Sequence, residues 1–537
     1  MAEGNSTVSL QSGLFAAADV LRSKMDANEY KNYLLGTVFY KYLSDQQLYK
    51  LAEDAGEDDI TLDEAQKIYE ESLEEEDLLE EDLLEEVKDE LGYLIEPEYT
   101  YTKILNNAND GSFQLNQLGD AFNKLESQGS SFEGLFDDYD LYSKRLGQNL
   151  QKQTDTIAGV LKAIGKLELV KTPGDTLGDA YEYLISQFAS ESGKKAGEFY
   201  TPQEVSELLA RLTLVGKDYS SGMSVYDPAM GSGSLLLNFK KYVPNSSRIT
   251  YYGQEINTST FNLARMNMIL HHVDLANQKL RNGDTLDEDW PAEETTNFDS
   301  VVMNPPYSLK WSADKGFLDD PRFSKYGVLP PKSKADYAFL LHGFYHLKHS
   351  GAMAIVLPHG ILFRGAAEGK IRKKLLEEGA IDAVIGLPAN LFYSTGIPTT
   401  IVVLKKDKQD RSVLFIDASK EFEKVKTQNK LRQEDIDKIL KTYEERPDDV
   451  EKYAHLASFD EIKENDFNLN IPRYVDTFEP EPEIDLRDVA KELRNIDQQI
   501  NENEKELVGM LKELTSSDDD IMAGLQSIIE DFEEEIR

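Results

Sequence analysis

From about residue 195 to about 405 the chain repeats one pattern: a short apolar run, a polar break, then a segment with helical periodicity. A crossover long enough to hold a helix returns the chain to the same end of a sheet, so strands joined this way run parallel. The pattern therefore restricts this stretch to an α/β fold on a mostly parallel sheet. Strands are expected at 223–227, 250–255, 298–303, 352–357, 380–387 and 400–404, with a very short one ending near Asn282. The strand at 400 follows Gly396-Ile397-Pro398 and is expected to pair antiparallel. Residues 1–170 read as a helical domain, 171–475 as the α/β domain, and 476–537 as an acidic linker with a helical segment. Helices are expected at 28–44, 115–128 and 175–190.

The run at 298–303 ends in Asn304-Pro305-Pro306-Tyr307. Two prolines fix φ and remove two N–H donors, so the strand must stop there. Asn304 and Tyr307 are then held stiffly at the carboxyl end of a strand, where open α/β sheets bind ligands. The Asn304 side-chain oxygen and a nearby carbonyl can accept both hydrogens of one exocyclic amino group, and Tyr307 can stack on the ring that carries it. Asn and Pro are also ordinary turn residues, so the rest of the chain must decide.

A second strand end lies at Asp227-Pro228-Ala229-Met230-Gly231-Ser232-Gly233-Ser234. Gly231 and Gly233 allow backbone to approach a ligand, and the helix that follows offers free N–H groups. Neither a phosphate-loop pattern nor GxGxxG is present. Instead Asp227 precedes the turn, Glu255 closes the next strand where a carboxylate would hold a ribose diol, and Asp284 follows a third strand end within reach of an adenine amino group. Singly, each acid is a common cap or turn residue. Together they disfavour a phosphate-bearing ligand and suit a cationic amino-acid nucleoside such as S-adenosylmethionine. Upstream, Thr201 reads as a helix N-cap, Pro202 as the first helical residue and Glu204 as the third, a capping box. Phe199 and Tyr200 can close over the methionine end of the cofactor.

The net charge of −41 argues against nucleic acid, but its distribution does not. Residues 51–100 carry a net −20 and residues 476–537 a net −14, leaving −7 on the other 425. A DNA-facing groove can lie between the acidic flanks. The flank at 75–84 holds a tandem Glu-Glu-Asp-Leu-Leu, read as the solvated face of an amphipathic helix, with a DNA-mimicking surface as the alternative. No cysteine is present, which removes disulfides and thiolate metal sites and fits a cytoplasmic protein. His271 and His272 sit on an expected helix facing different ways, so no metal site is expected. No apolar run is long enough to span a membrane, and no secretory signal is visible. In the tail, Leu486, Val489, Leu493, Ile496, Ile500, Asn503, Leu507, Met510 and Leu514 alternate steps of three and four, a heptad seam better suited to another chain than to its own domain.

These residues together resemble the gamma class of amino-group DNA methyltransferases, and more closely the modification (methyltransferase) subunit of type I restriction–modification systems. The stretch at 197–202 resembles the family's first cofactor motif, Asp227 to Gly233 its cofactor turn, and Asn304 to Tyr307 its catalytic motif. Ala335-Asp336-Tyr337-Ala338-Phe339, 387–392, 29–43 and 178–185 are similar to the same subunit. The resemblance covers about residues 10–475. It implies an S-adenosylmethionine-dependent methyltransferase fold, Rossmann-like with a mostly parallel seven-stranded sheet, an N-terminal helical domain and a C-terminal coiled-coil-like helix. It implies methyl transfer to N6 of adenine flipped out of double-stranded DNA. The catalytic residues would be Asn304, Pro305, Pro306, Tyr307 and Phe392, the last as the second stacking aromatic. The cofactor would be held by Glu198, Phe199, Tyr200, Thr201, Pro202, Gln203, Asp227, Gly231, Ser232, Gly233, Ser234, Glu255 and Asp284. It also implies a specificity subunit that holds two modification subunits, and a place for restriction subunits in the assembly.

The 44 residues between Tyr307 and the strand at 352 are too few for a target-reading domain, so sequence reading is expected from another chain. Two rivals remain open: methylation of a protein glutamine or an RNA base by the same tetrapeptide, and a catalytically dead acidic scaffold.

Overall fold

The computed structural model describes residues 2–57, 59–73, 78–171, 176–191, 200–287, 290, 297–392, 395–426, 428–477 and 485–535. Residues 1–476 pack as one compact unit and 477–537 as another. Strands β1 (Met223–Asp227), β2 (Ile249–Glu255), β3 (Gln278–Asn282), β4 (Phe298–Met303), β5 (Leu347–Pro358), β6 (Ile381–Gly386), β7 (Thr399–Lys405) and β8 (Val413–Asp417) come first in the chain. A short hairpin follows, β9 (Glu423–Val425) and β10 (Gln428–Lys430), then β11 (Asp449–Val450) and β12 (Ala454–Ala457). All but the hairpin form one sheet in the order β11-β12-β8-β6-β7-β5-β4-β1-β2-β3.

The expected seven strands are its β3-β2-β1-β4-β5-β7-β6 portion. All are parallel except β7, which runs antiparallel to both β5 and β6. The sheet goes further than expected: β8 adds parallel to β6, and β12 and β11 add antiparallel beyond it. Successive residues of the central strands feed opposite faces. Val225 and Val302 join the core under the helix at 203–214, whereas Tyr226 and Val301 join the core under the helix at 336–345. Burial on both faces explains why Val301-Val302-Met303 of β4 and Ala383-Val384-Ile385 of β6 are apolar without alternation. From β1 the chain goes first to β2 and β3 on one side, then crosses to β4 and β5 on the other. That reversal opens a crevice at the carboxyl ends of β1 and β4.

Among the described residues nine α-helices precede the first strand: α1 (Ala2–Arg22), α2 (Ala27–Asp54), α3 (Leu62–Ser72), α4 (Leu78–Leu91), α5 (Tyr101–Asp110), α6 (Leu115–Glu126), α7 (Leu150–Ile164), α8 (Thr176–Glu191) and α9 (Gln203–Leu214). Between strands come α10 (Ser234–Leu237), α11 (Phe239–Tyr242), α12 (Thr258–Leu270), α13 (Asp336–Tyr345), α14 (Ala366–Glu377) and α15 (Gln433–Glu445), and α16 (Phe459–Glu464) follows the last strand. α2 runs ten residues past the expected end because Leu48, Leu51 and Ala52 continue its apolar stripe into a satellite core with Tyr69 and Val87. The expectation of a helix through His271 and His272 is corrected: α12 stops at Leu270, His271 caps it, and His272 takes φ +53° and meets the Tyr42 hydroxyl at 3.1 Å. Of the acidic tandem at 75–84, residues 78–84 lie on α4, as the helical reading expects, and residues 75–77 lie outside the described residues.

The C-terminal unit consists of α17 (Leu486–Glu513) and α18 (Asp519–Glu535). α17 carries the expected heptad, and Leu486, Leu493, Ile496, Ile500 and Met510 of that seam are exposed. Among the described residues the buried side chains of this unit are Val508 and Ile529, and Lys512 pairs with Glu533. Val508 lies beside the seam rather than on it, so the seam remains open.

Candidate active site

β1 delivers Asp227 to the crevice, almost fully buried, with Oδ1 accepting the Ala229 amide at 2.9 Å. The turn after it places Gly231 at φ +55° and Gly233 at φ +80°, a region that side chains disfavour. Gly233 is the N-cap of α10, which Ser234 begins. Glu255, at the end of β2, ties two turns together: Oε2 accepts the Gly231 amide at 3.2 Å and Oε1 the Asn257 amide at 2.9 Å. Gly253 is required here, because a Cβ would lie 2.3 Å from the Met230 sulfur. Burial raises the carboxyls of both acids, Asp227 to about 8, with the Ala229 amide opposing and the nearby Glu255 charge adding to the rise.

Asp284 stands on the loop after β3, where Oδ1 accepts the Leu286 amide at 2.9 Å. Arg322 fixes that loop by donating to the carbonyls of Thr285 at 2.9 Å and Leu286 at 3.3 Å. The fully buried Arg322 also pairs with Asp320 and meets His342 Nδ1 at 3.1 Å, while His342 Nε2 meets the Tyr226 hydroxyl at 2.8 Å. Nothing in the sequence marks Arg322, since a lone arginine in a loop reads as solvated.

Beside this crevice, Asn304 Nδ2 donates to Thr201 Oγ1 at 3.1 Å, and the Tyr307 hydroxyl donates to Asn304 Oδ1 at 2.7 Å. The capping box is therefore corrected. α9 begins at Gln203, and its first amides, Val205 and Ser206, bond to the Pro202 carbonyl at 3.0 and 2.9 Å. Pro202 is the cap, with no side-chain cap bond, and Thr201 is free to hold Asn304. After Tyr307, Ser308 takes φ +54°. Its amide donates to Asp336 Oδ1 at 2.8 Å, and Arg364 grips Oδ2 at 2.7 Å. This buried carboxylate explains Asp336, singled out in the sequence without a role. The Phe392 ring is buried and stands edge-on to Tyr307, centroids 6.2 Å apart at 80°.

The crevice is open to solvent and brings together Thr201, Asp227, Gly231, Ser232, Ser234, Glu255, Asp284, Asn304 and Pro306. Sequence reasoning missed its apolar walls, Ile256, Leu309 and Phe339. Tyr200, Pro202 and Gln203 line a neighbouring depression instead, and Tyr200 packs into the core of the N-terminal helices. Gln203 still reaches the cradle indirectly, accepting from Asn238 Nδ2 at 3.1 Å, which also donates to the Ser234 carbonyl at 3.2 Å. Glu198 and Phe199 lie outside the described residues. Among the described residues, three carboxyls and no basic residue line the crevice, which disfavours a phosphate and fits a cationic nucleoside. Among the described residues no group of three potential metal ligands converges.

The chain matches two family models, HsdM N-terminal domain over residues 10–164 and N-6 DNA Methylase over residues 172–483. It is 36% identical over 530 residues to the type I restriction enzyme MpnII methylase subunit of Mycoplasma pneumoniae, covering 93% of this chain and 94% of that protein. It is 32% identical over 524 residues to the MjaVIII methylase subunit of Methanocaldococcus jannaschii, covering 93% and 83%. Its fold superposes on the crystal structure of a type I restriction-modification methyltransferase subunit from Streptococcus thermophilus with a TM-score of 0.86 and 60% identity, covering 88% of this chain and 100% of that one.

Proposed function

Starting from the premise that this chain belongs to the N-6 DNA methylase family, as a methylase subunit of the type I restriction enzymes, we propose how its residues divide the work of methylating N6 of adenine in DNA. The fold is that of an S-adenosylmethionine-dependent methyltransferase, and S-adenosylmethionine is the cofactor. That cofactor supplies a methyl group on a sulfonium, a leaving group good enough that no strong base is needed before attack. Asp227 attracts the cationic amino-acid end, Glu255 takes the ribose diol, and Asp284 accepts from the adenine ring. Gly231, Ser232, Gly233 and Ser234 bring backbone close to the ligand, and Thr201 joins the two halves of the site. Tyr200, Pro202 and Gln203, which line the neighbouring depression, back Thr201 from that side, and Glu198 and Phe199 are assigned to the cofactor from the sequence motif alone.

The observation that carries this reading is the placement of Asn304 beside a carboxylate-lined crevice, with its amide held by Thr201. Asn304 Oδ1 and the carbonyl near Pro305 accept the two N6 hydrogens of the target adenine and turn its lone pair toward the methyl group. Pro306 stiffens that turn. Catalysis is then positioning and polarisation. In the structure Asn304 Oδ1 is occupied by the Tyr307 hydroxyl. A flipped base must displace that hydroxyl, after which Tyr307 stacks on its face. A ring sandwiched between two others at van der Waals distance needs about 7 Å between their centroids. Tyr307 and Phe392, at 6.2 Å and edge-on, therefore open as the base enters.

Between Tyr307 and β5 the chain holds two 3-10 turns and α13, and no separate domain. We therefore assign DNA reading to a specificity subunit that holds two copies of this chain and docks the exposed seam of α17. Restriction subunits join the same assembly. We divide the chain into a helical domain (1–170), a catalytic domain (171–475) and an assembly segment (476–537). A protein that works on genomic DNA resides in the cytoplasm; among the described residues no helix is long and apolar enough to cross a membrane. The test is mass spectrometry of duplex DNA incubated with S-adenosylmethionine, this chain and its specificity subunit. N6-methyladenine is the expected product. Methyl groups found only on protein glutamine or RNA contradict the reading.

A further inference from the structure

The chain is strongly acidic, and several described lysines of the catalytic unit are neutralised in ion pairs, among them Lys217, Lys325, Lys348, Lys405, Lys408 and Lys438. Two groups beside the Tyr307–Phe392 pair are not. Lys310 follows Tyr307 by three residues. The limbs 309–311 and 332–335 are stitched together by Trp311 N to the Lys332 carbonyl at 3.1 Å and Ala335 N to the Leu309 carbonyl at 2.9 Å. That brings Lys310, Lys332 and Lys334 onto one small loop, the first two exposed. None of the three makes an ion pair with a described residue.

The second group lies on the β9–β10 hairpin, which stands outside the main sheet and carries the exposed Lys424, Lys426 and Lys430. The one acid among residues 423–430, Glu423, faces Lys430 across the strands without pairing with it. Lys426 occupies the turn at φ +46°, a region L-residues rarely enter, so the turn presents a lysine where glycine would be the easier choice. The hairpin is fastened to the loop that bears Phe392. Asn429 donates through its backbone amide to the Asn390 carbonyl at 3.0 Å, and through Nδ2 to the Ala389 carbonyl at 2.8 Å. Phe392 lies two residues on from Asn390, with its ring against Tyr307.

Two sets of three lysines thus flank the pair of rings, one attached to each ring's loop. Five of these six lysines are exposed, and although the Glu204 and Glu368 carboxylates feel the charges of Lys430 and Lys334, the two loops together present a basic surface suited to a polyanion. A duplex whose base is flipped into the pocket presents its phosphates on both sides of the extruded nucleotide. We propose that the β9–β10 hairpin and the Lys310–Lys334 loop are the two lips of a phosphate-gripping rim, which holds the duplex backbone on either side of the flipped adenine. This rests on the methylation reading above and names the part of the chain that meets the DNA. The rim carries no base-reading geometry, so it positions DNA chosen by another subunit.

The test is the salt dependence of binding, whose log–log slope flattens by about 0.9 for each phosphate that is no longer neutralised. The full-length chain is titrated with a labelled mixed-sequence duplex over a series of salt concentrations. Three variants are compared with wild type: K424Q/K426Q/K430Q, K310Q/K332Q/K334Q, and K144Q/K162Q/K166Q, which removes the same charge from the helical region. The two rim variants are expected to flatten the slope by up to about 2.7 each and to bind at least about tenfold more weakly at low salt. The helical-region variant keeps the wild-type slope, and all four chains bind S-adenosylmethionine alike. An unchanged slope in the rim variants, an equal loss in the helical-region variant, or no duplex binding by wild type overturns the proposal. The methylation reading fails separately, by the absence of N6-methyladenine from any duplex treated with the wild-type complex.

Discussion

Asp227 has one backbone amide against its carboxylate and burial on every other side, which raises its carboxyl from 3.8 to about 8. A folded-state value above the unfolded one means that the folded chain holds this proton more tightly. The effect on stability is nil below pH 3.8, where both states are protonated, and the folded state loses stability as the pH climbs from there toward 8. A cation beside Asp227 reverses the balance by favouring the carboxylate. Affinity for S-adenosylmethionine is therefore expected to rise with pH up to about 8, by at most about tenfold per unit, with a proton released on binding. Calorimetry in buffers of different ionisation enthalpy measures both, and Asp227→Asn should remove the pH dependence. At the neighbouring half of the site, Thr201→Val leaves Asn304 Nδ2 without its 3.1 Å acceptor. We expect kcat to fall about tenfold, worth about 1.4 kcal/mol, with cofactor affinity nearly unchanged. Comparable losses in both would place Thr201 in the cofactor cradle rather than behind Asn304.

At the scale of elements, β1 and β4 fall where the sequence places them, because both are apolar runs stopped by an unmistakable breaker. The three acids could be placed for the same reason, each following a strand end. The antiparallel β7 was legible from the Gly396-Ile397-Pro398 turn before it. What stayed hidden depends on neighbours distant in sequence. β8, β11 and β12 are short, and only pairing onto the edge beyond β6 makes them strands. Thr201 looks like a cap locally, and only the fold brings Asn304 to it from 103 residues away. Arg322 and Asp336 act by clamping the Asp284 loop and the Ser308 turn, which no local pattern reports. The heptad of α17 was readable because its period alone implies a seam, and that seam is exposed. Removing residues 480–537 should abolish co-purification with the specificity subunit while leaving cofactor binding intact. A truncated chain that still co-purifies would locate the docking surface elsewhere.

For the molecule as a whole, charge, topology and assembly form one arrangement. The net −41 is concentrated in two flanks, so the catalytic region itself is close to balanced and can approach DNA. The sheet's reversal between β1 and β4 sets the cofactor crevice and the Asn304 turn side by side. No domain between Tyr307 and β5 reads DNA, and the chain instead extends a helix with an open seam. These features describe a catalytic subunit that handles any adenine delivered to it and leaves the choice of adenine to a partner. The most direct test of that account is methyl transfer to duplex DNA by Asn304→Ala in complex with the specificity subunit, measured beside S-adenosylmethionine binding by the same protein. The account predicts that transfer to adenine N6 is lost while cofactor affinity stays within a few-fold of wild type, since Asn304 acts on the base. Retained transfer would contradict it, and so would an equal collapse of cofactor binding.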